Sequence, residues 1–519
     1  MSKSIITKDR ELLHMSKRQF LSGAGATASG LTLSNCTGDS TDKYDALIVG
    51  GGNAGLPTAI FLAERGKKVV ILEAAPVIGG TLFLSSGQMA AAGTKLQKSK
   101  GITEDSAQSH YDDVMKISNG TANPELLKLA TFNAADTFDW LTDNGFKTKE
   151  EHPVTGTTHE PYSSARYAWG TEGGMSILNL LEDQLKPHIA SGLVSVRVNS
   201  EVTELMQDSS GSIIGAVTKN EQGKIVKYFA DNTVLTSGGY ASNPKMFEEL
   251  EGAPDYSDCS YPYSQGQGIV LGTKVGGYVR NGEHHLPLFG AILASDEYPA
   301  PLVAMARHFP PDRQPWEILV DKNGKRFLQE DIPSHDAYEN ALLQCPEESC
   351  WWVFDSNIYK QAPSLVRGGF GGPITEEDVE DAFNDGWHNF FKAKTLTELA
   401  EKAQISKRGL LKTVEAYNIG QGTGEDALGR THMPLPITEG PFYAVKTQSW
   451  LLTGFAGLAV DEKLRVIRQD GSNIKGLYAA GELLGTTVTS GGAYCGGMLV
   501  TPALTFGRLL GQKLIEFDI

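Results

Sequence analysis

Between residues 44 and 73, apolar and polar positions fall into three blocks. An apolar run, Asp45-Ala46-Leu47-Ile48-Val49, ends in Gly50-Gly51-Gly52. An apolar, alanine-rich stretch follows as far as Gly66, and residues 68–73 (KVVILE) are apolar again up to Glu73. Short unbroken apolar runs bounded by glycines predict strands covered on both faces, and the longer middle block predicts a helix. Helical periodicity recurs over residues 105–116, 123–144 and 396–417. Residues 193–205 alternate like a strand, 213–229 read as a hairpin turning at Gln222-Gly223, and 232–237 predict a further buried strand ending in Gly238-Gly239-Tyr240. Near the end, residues 476–482 (GLYAAGE) predict a short strand running into a glycine turn. A last helix starts near Leu499 and continues to the C-terminus. Trp351-Trp352 are expected in a packed core.

Strand, glycine turn, helix and strand together form a βαβ unit with a G-x-G-x-x-G pattern at Gly50, Gly52 and Gly55. Gly50 permits the tight turn, Gly52 lets backbone approach a pyrophosphate, and Gly55 lets helix and strand pack closely. The helix N-terminus offers unpaired N–H groups and about half a positive charge to that pyrophosphate. Glu73, closing the second strand, is placed to bind a ribose hydroxyl. Small residues at Gly79-Gly80-Thr81 and Ser85-Ser86-Gly87 suit a loop wrapped around a flat cofactor.

A chain of 519 residues predicts more than one domain, and a net charge of −16 argues against a nucleic-acid partner. The cysteines (Cys36, Cys259, Cys345, Cys350, Cys495) include no CxxCH for haem and no CxxC pair for zinc or an iron–sulfur cluster, so no metal is expected and electrons must pass to an external donor or acceptor. Cys345 and Cys350 are read chiefly as buried thiols, with a pairing in an oxidising compartment left open. Residues 1–40 read as an address: Ser16-Lys17-Arg18-Gln19-Phe20-Leu21 resembles a twin-arginine export signal with lysine for the first arginine, and Leu33-Ser34-Asn35-Cys36 resembles a lipoprotein cleavage box. The expected location is the periplasm, with a possible lipid anchor at Cys36, or the cytoplasm if this segment is only a basic tail.

The motifs GGGNAGL (50–56), IGGTLFLSSGQ (78–88), VLTSGGYASN (234–243), GKRFLQED (324–331) and GLYAAGE with its trailing TPALTFGR (476–508) resemble, in this order, the flavoprotein family of fumarate reductase, succinate dehydrogenase and 3-ketosteroid dehydrogenases. The resemblance implies an α/β chain: a Rossmann-like FAD-binding domain (44–292 and 454–519) interrupted by an α+β capping domain (293–453). It implies FAD contacts at Gly50, Gly52, Asn53, Ala54, Gly55, Glu73 and Ala74, at Gly80, Thr81, Ser86 and Gly87, at Val202, Ser237 and Gly238, at Gly481 and Glu482, and at Leu499 and Val500. It also implies a noncovalent FAD, because the histidine that bonds the flavin in succinate dehydrogenase is matched here by Gly80 or Thr81.

Against fumarate reductases, the clamp arginine falls on Tyr494, the substrate histidine on Leu452 and the proton-delivering arginine on His335, which speaks against a dicarboxylate. Ser490-Gly491-Gly492-Ala493-Tyr494-Cys495-Gly496-Gly497 is similar to the ketosteroid-dehydrogenase loop in which a tyrosine hydroxyl and a glycine N–H polarise a ketone. Tyr494 and Gly497 are the matching residues, and Ser334 and His335 occupy the proton-transfer neighbourhood. His335, titrating near 6.5, is the expected base. The expected reaction is α,β-dehydrogenation of a cyclic ketone such as a 3-ketosteroid. An ene-reductase for a non-dicarboxylate unsaturated acid, with Arg166 as anion anchor, is the alternative, and a non-enzymatic flavin electron carrier the third. Arg166 otherwise pairs with a surface acid. His284-His285 and Arg307-His308 are read as solvated histidines.

Overall fold

The computed structural model describes residues 43–156, 159–220, 223–369 and 372–514. The export-signal reading, Cys36 and Gln222 lie outside them. The chain divides into two compact units, and each is built around its own sheet.

The first unit comprises residues 43–254, 260–285 and 452–514 of those described. Its sheet runs in the order Arg465–Ile467, Asn473–Ala479, Ile225–Leu235, Lys43–Val49, Val69–Leu72, Val194–Arg197, and every neighbour after the first pair is parallel. Ala46, Leu47 and Ile48 are wholly buried, as a strand covered on both faces must be. The predicted hairpin is present, formed by Ile213–Asn220 and Ile225–Leu235.

Two strand expectations are corrected. The run 225–235 is one strand: its first half pairs with Ile213–Asn220 and its second half with Lys43–Val49, so the "separate" strand at 232–237 is its continuation. The run 193–205 is instead two strands, Val194–Arg197 and Ser200–Gln207, because the backbone turns at Asn199 with a φ of 49°. Alternation continues through that turn, so the pattern alone does not reveal it.

The helix after the glycine loop, Gly55–Glu64, packs on the terminal helix Val500–Lys513. Small residues set their separation. A Cβ on Gly507 would lie 2.2 Å from the Ala54 carbonyl oxygen, and one on Gly511 would lie 2.5 Å from the Phe61 Cβ. Thr58 Oγ1 reaches the Gly507 oxygen at 3.1 Å and Arg65 the Gly511 oxygen at 3.0 Å. The helix Pro124–Asp143 starts at the Asn123 side chain, which accepts the Leu126 N–H, with Pro124 in the first turn.

The second unit comprises Asp255–Cys259 and residues 286–451. An antiparallel sheet runs Ile318–Val320, Ser349–Asp355, Phe442–Trp450, Leu288–Leu293, Leu302–Ala306, Val366–Gly368, and Phe390–Ala393 also pairs with Phe442–Trp450. Leu288–Leu293 pairs within this sheet, so the unit takes in residues just before 293. Trp352 is fully buried at its centre, with Phe289 edge-on at 6.3 Å. The predicted helix at 396–417 is two, Leu396–Lys402 and Lys407–Thr423, separated where Gln404 has a φ of 55°. Buried ions are paired: Arg313 with Glu317, Arg326 with Glu330 and Asp426. Cys345 and Cys350 are buried free thiols. Among the described residues no helix is long and apolar enough to cross a membrane.

Trp352→Ala should remove about 3–5 kcal/mol from this unit, because a fully buried indole leaves a cavity that a sheet core does not collapse around. Thermal melting followed by tryptophan fluorescence tests this, with the melting of the first unit as internal reference.

Candidate functional site

The glycine loop is held by neighbours that leave no room for side chains. Gly50 has a φ of 103°, and a Cβ there would meet the Thr236 carbonyl oxygen at 2.5 Å; one on Gly55 would meet the Gly50 oxygen at 2.1 Å. Thr236 Oγ1 donates to the Gly50 oxygen at 2.8 Å and so ties the end of strand Ile225–Leu235 to the loop. The Glu73 carboxylate accepts the Gly51 N–H and the Ala75 N–H, each at 2.8 Å. Burial pushes the Glu73 carboxyl pKa upward, and these two hydrogen bonds partly offset that. Its first job is to brace the loop; each oxygen keeps a lone pair for a further donor.

The other nucleotide-site candidates gather around that loop, apart from a few on its margins. Gly80 lies against Gly52, where a Cβ on Gly80 would be 3.2 Å from the Gly52 Cα, and Thr81 is in the short helix Gly80–Phe83. Gly87 packs on Gly173, while Ser86 and Ala74 are exposed. Val202 is buried in Ser200–Gln207 and its carbonyl accepts from Gln267. Asn53 Nδ2 donates to the Val500 oxygen at 3.2 Å, which brings the starts of the first and last helices together. Leu499 caps the last helix and is 40% exposed. Gly481 faces Ala54: a Cβ there would be 3.1 Å from the Ala54 Cβ. Gly238, at φ 76°, follows Ser237 at the strand end. Asn53 Oδ1, Ser237 Oγ and Glu482 Oε1 are buried without a partner among the described residues. Burial raises the Glu482 pKa to about 7, against hydrogen bonds from Thr453 and Gly239.

In the loop 490–497, Tyr494 is buried, stacks on His159 at 5.6 Å and meets Phe455 edge-on at 5.4 Å. Gly497 has a φ of 77°, and a Cβ there would collide with the Ala90 nitrogen at 2.3 Å. Tyr162 donates to the Gly496 oxygen at 2.5 Å. Arg166 is not on the surface and not open to an anion: it is fully buried, forks onto Asp105 at 2.6 and 3.0 Å, and reaches Asp113 at 2.7 Å. The two adjacent histidines are not simply solvated either. His285 is partly buried and lies 3.4 Å from Glu251, and a Cβ on Gly492 would lie 3.1 Å from His284 Nδ1. Glu251 in turn accepts the Phe455 N–H at 2.5 Å and the hydroxyl of Tyr240, fixing the turn beneath Tyr494.

Ser334 and His335 belong to the second unit. Ser334 Oγ accepts the Ala337 N–H at 3.1 Å and caps the helix His335–Leu342. His335 stacks on Phe309 at 3.7 Å and meets His308 edge-on at 5.8 Å. Burial, with Arg367 adding like charge, lowers its pKa to about 4, which corrects the expected titration near 6.5. His308 is itself buried, with its pKa held near 3.

Residues 45–499 match the family model described as "FAD binding domain". The chain belongs to that family. Among its curated relatives is a fumarate reductase (cytochrome) of Shewanella frigidimarina, 26% identical over 485 residues that span 92% of this chain and 78% of the relative. Another is a 4-oxocyclohexanecarboxylate 2-dehydrogenase of Sinomonas cyclohexanicum, 25% identical over 92% of this chain and 94% of the relative. In fold, the chain is similar to a 3-ketosteroid Δ1-dehydrogenase from Sterolibacterium denitrificans, with a TM-score of 0.68, 18% identity, and coverage of 91% of this chain and 99% of that one.

The protein is thus an FAD-dependent oxidoreductase with an α/β, Rossmann-like fold. The site fits that cofactor. Its glycines leave a side-chain-free cradle between two helix N-termini, and three buried polar atoms on its walls have no partner among the described residues. Thr236, Tyr162 and Glu251 were not singled out by sequence reasoning as site supports. Threonine, tyrosine and glutamate at these spacings carry no signature, since their partners are 186, 334 and 204 residues away in sequence.

Gly55→Ala should yield colourless protein, because the added methyl must displace the Gly50 carbonyl that shapes the turn. The ratio of flavin to protein absorbance after purification measures this, and a yellow, fully loaded variant would count against the cradle.

Proposed function

We propose that this FAD-binding domain protein acts on CH–CH bonds next to a carbonyl, dehydrogenating a cyclic ketone such as a 3-ketosteroid. The observation that carries the reading is the buried loop in which a phenol, Tyr494, stands beside Gly497, while the nearby guanidinium of Arg166 is consumed by Asp105 and Asp113. A ketone oxygen calls for neutral donors, whereas a carboxylate calls for a free cation. The relative that dehydrogenates 4-oxocyclohexanecarboxylate supports the same reading.

In this reading Gly50, Gly52, Asn53, Ala54 and Gly55 hold the pyrophosphate, and Glu73 and Ala74 the adenosine ribose. Gly80, Thr81, Ser86, Gly87, Val202, Ser237, Gly238, Gly481 and Glu482 line the rest of the cofactor, and Leu499 and Val500 present a helix N-terminus to the flavin. Binding is noncovalent, with glycine and threonine where a histidine link would form. Bound FAD supplies a two-electron acceptor for hydride. Tyr494 O–H and Gly497 N–H donate to the ketone oxygen as enolate charge develops there. His335, in the second unit and neutral above about pH 4, is the proton acceptor of this reading, while Ser334 and the Phe309 ring hold the start of its helix and its imidazole plane. Electrons then leave to an external acceptor. The twin-arginine-like stretch at 16–21 and Cys36 support export with a lipid anchor, tested by palmitate labelling of the full chain.

The relationship to a fumarate reductase favours a second reading, the reverse reaction on a non-dicarboxylate enoate. Arg166 is withdrawn as its anion anchor. One experiment separates the two: the yellow protein is mixed with a panel of 3-ketosteroids and 4-oxocyclohexanecarboxylate, and the reduced protein with a panel of enoates. Bleaching of the flavin by a cyclic ketone is expected. Reoxidation by an enoate with no bleaching by any ketone selects the second reading, and rapid turnover of fumarate sinks both.

Tyr494→Phe should lower kcat by about 10²-fold, the cost of one oxyanion donor. For His335 the sign follows from its role as a base: kcat/KM stays flat from pH 8 down to 5 and falls only as pH drops through about 4. A limb near 6.5 in the wild type, or full activity in His335→Ala, would remove His335 from the mechanism.

A further inference from the structure

We propose that Tyr162 is a positioning residue that strengthens and aims the Gly497 N–H as an oxyanion donor. The inference rests on the reading of Gly497 given above and names what controls it. The carbonyl of Gly496 and the N–H of Gly497 are the two ends of one planar amide. A hydrogen bond donated to that carbonyl draws electron density across the amide and makes the N–H at its other end a stronger donor. Tyr162 Oη donates to the Gly496 oxygen at 2.5 Å. Among the described loop and turn bonds, no backbone carbonyl accepts the Gly497 N–H.

The phenol is itself held in place. Tyr162 is 4% exposed, and His110, wholly buried, meets its ring edge-on at 5.4 Å. The Arg166 guanidinium lies 5.2 Å from the ring centroid and is fixed by Asp105 and Asp113. A cation over the ring makes the hydroxyl a better donor without competing for the carbonyl. On its other side, the amide cannot retreat: a Cβ on Gly496 would lie 3.2 Å from the Tyr167 ring, and one on Gly497 2.3 Å from the Ala90 nitrogen. Tyr167 is fixed in turn by Gln88 at 2.6 Å. This accounts for a buried arginine and two partly buried aspartates away from the glycine cradle and Tyr494.

The test uses the FAD-loaded full chain and two phenols, 4-chlorophenol and 4-cyanophenol, whose phenolate oxygens imitate an enolate oxygen; binding is followed through the long-wavelength charge-transfer band with oxidised flavin. In Tyr162→Phe the dissociation constants should rise about tenfold, and the rate constant of flavin reduction by ketone should fall about tenfold, with KM and flavin content unchanged. Replacing Tyr162 with 3-fluorotyrosine, a stronger donor of nearly the same volume, should tighten phenolate binding, a shift that a purely structural tyrosine does not produce. If wild type binds phenolates and neither replacement alters the affinity, Tyr162 has no such role. If wild type binds no phenolate, the oxyanion reading of the loop falls, and this inference with it.

Discussion

Close approach of backbone to backbone at the glycine loop is the constraint on which the first unit depends. Gly55 lets the loop close on the Gly50 carbonyl, Gly507 and Gly511 let the first and last helices come within a distance that no Cβ could tolerate, and the Asn53 amide then bridges to the Val500 carbonyl across nearly the whole chain. Two helix N-termini, each carrying partial positive charge, are thereby aimed at one cradle. Like ends of two dipoles repel, so the arrangement is favourable only with anionic charge between them; Glu73, bonded to the loop by two N–H groups, supplies part of it from within the protein. The same residues that make the cradle also join segments distant in sequence, so the fold and the cofactor site are one piece of construction.

Buried charge is organised differently in the two units. In the second, Arg313 pairs with Glu317, and Arg326 pairs with Glu330 and Asp426. In the first, Arg166 sits between Asp105 and Asp113 under the loop 490–497. Losing one partner of such a pair costs about 3–5 kcal/mol, because the remaining charge is left in a poorly solvating interior. Arg166 therefore cannot swing out to meet a substrate anion. These two aspartates hold the guanidinium where it is. The histidines follow the same physics: His335 and His308 are pushed far below their solution range by burial, so their neutral forms prevail at physiological pH.

The βαβ unit, its glycine fingerprint, the helices near 107–117 and 124–143 and the FAD family were legible in the sequence, because each is written in local periodicity or in a short motif whose spacing reflects steric need. Glycine positions were especially legible, since a residue without a Cβ has few substitutes where backbones meet. Only the tertiary structure decided that residues 225–235 form one strand shared by two pairings, that Asn199 and Gln404 break runs whose polarity pattern continues, that a buried Arg166 is spent on Asp105 and Asp113, and that burial lowers the His335 pKa to about 4. Local pattern records which face of an element is apolar. Partnership and burial of a charged or polar side chain depend on residues hundreds of positions away, and no single stretch of sequence encodes them.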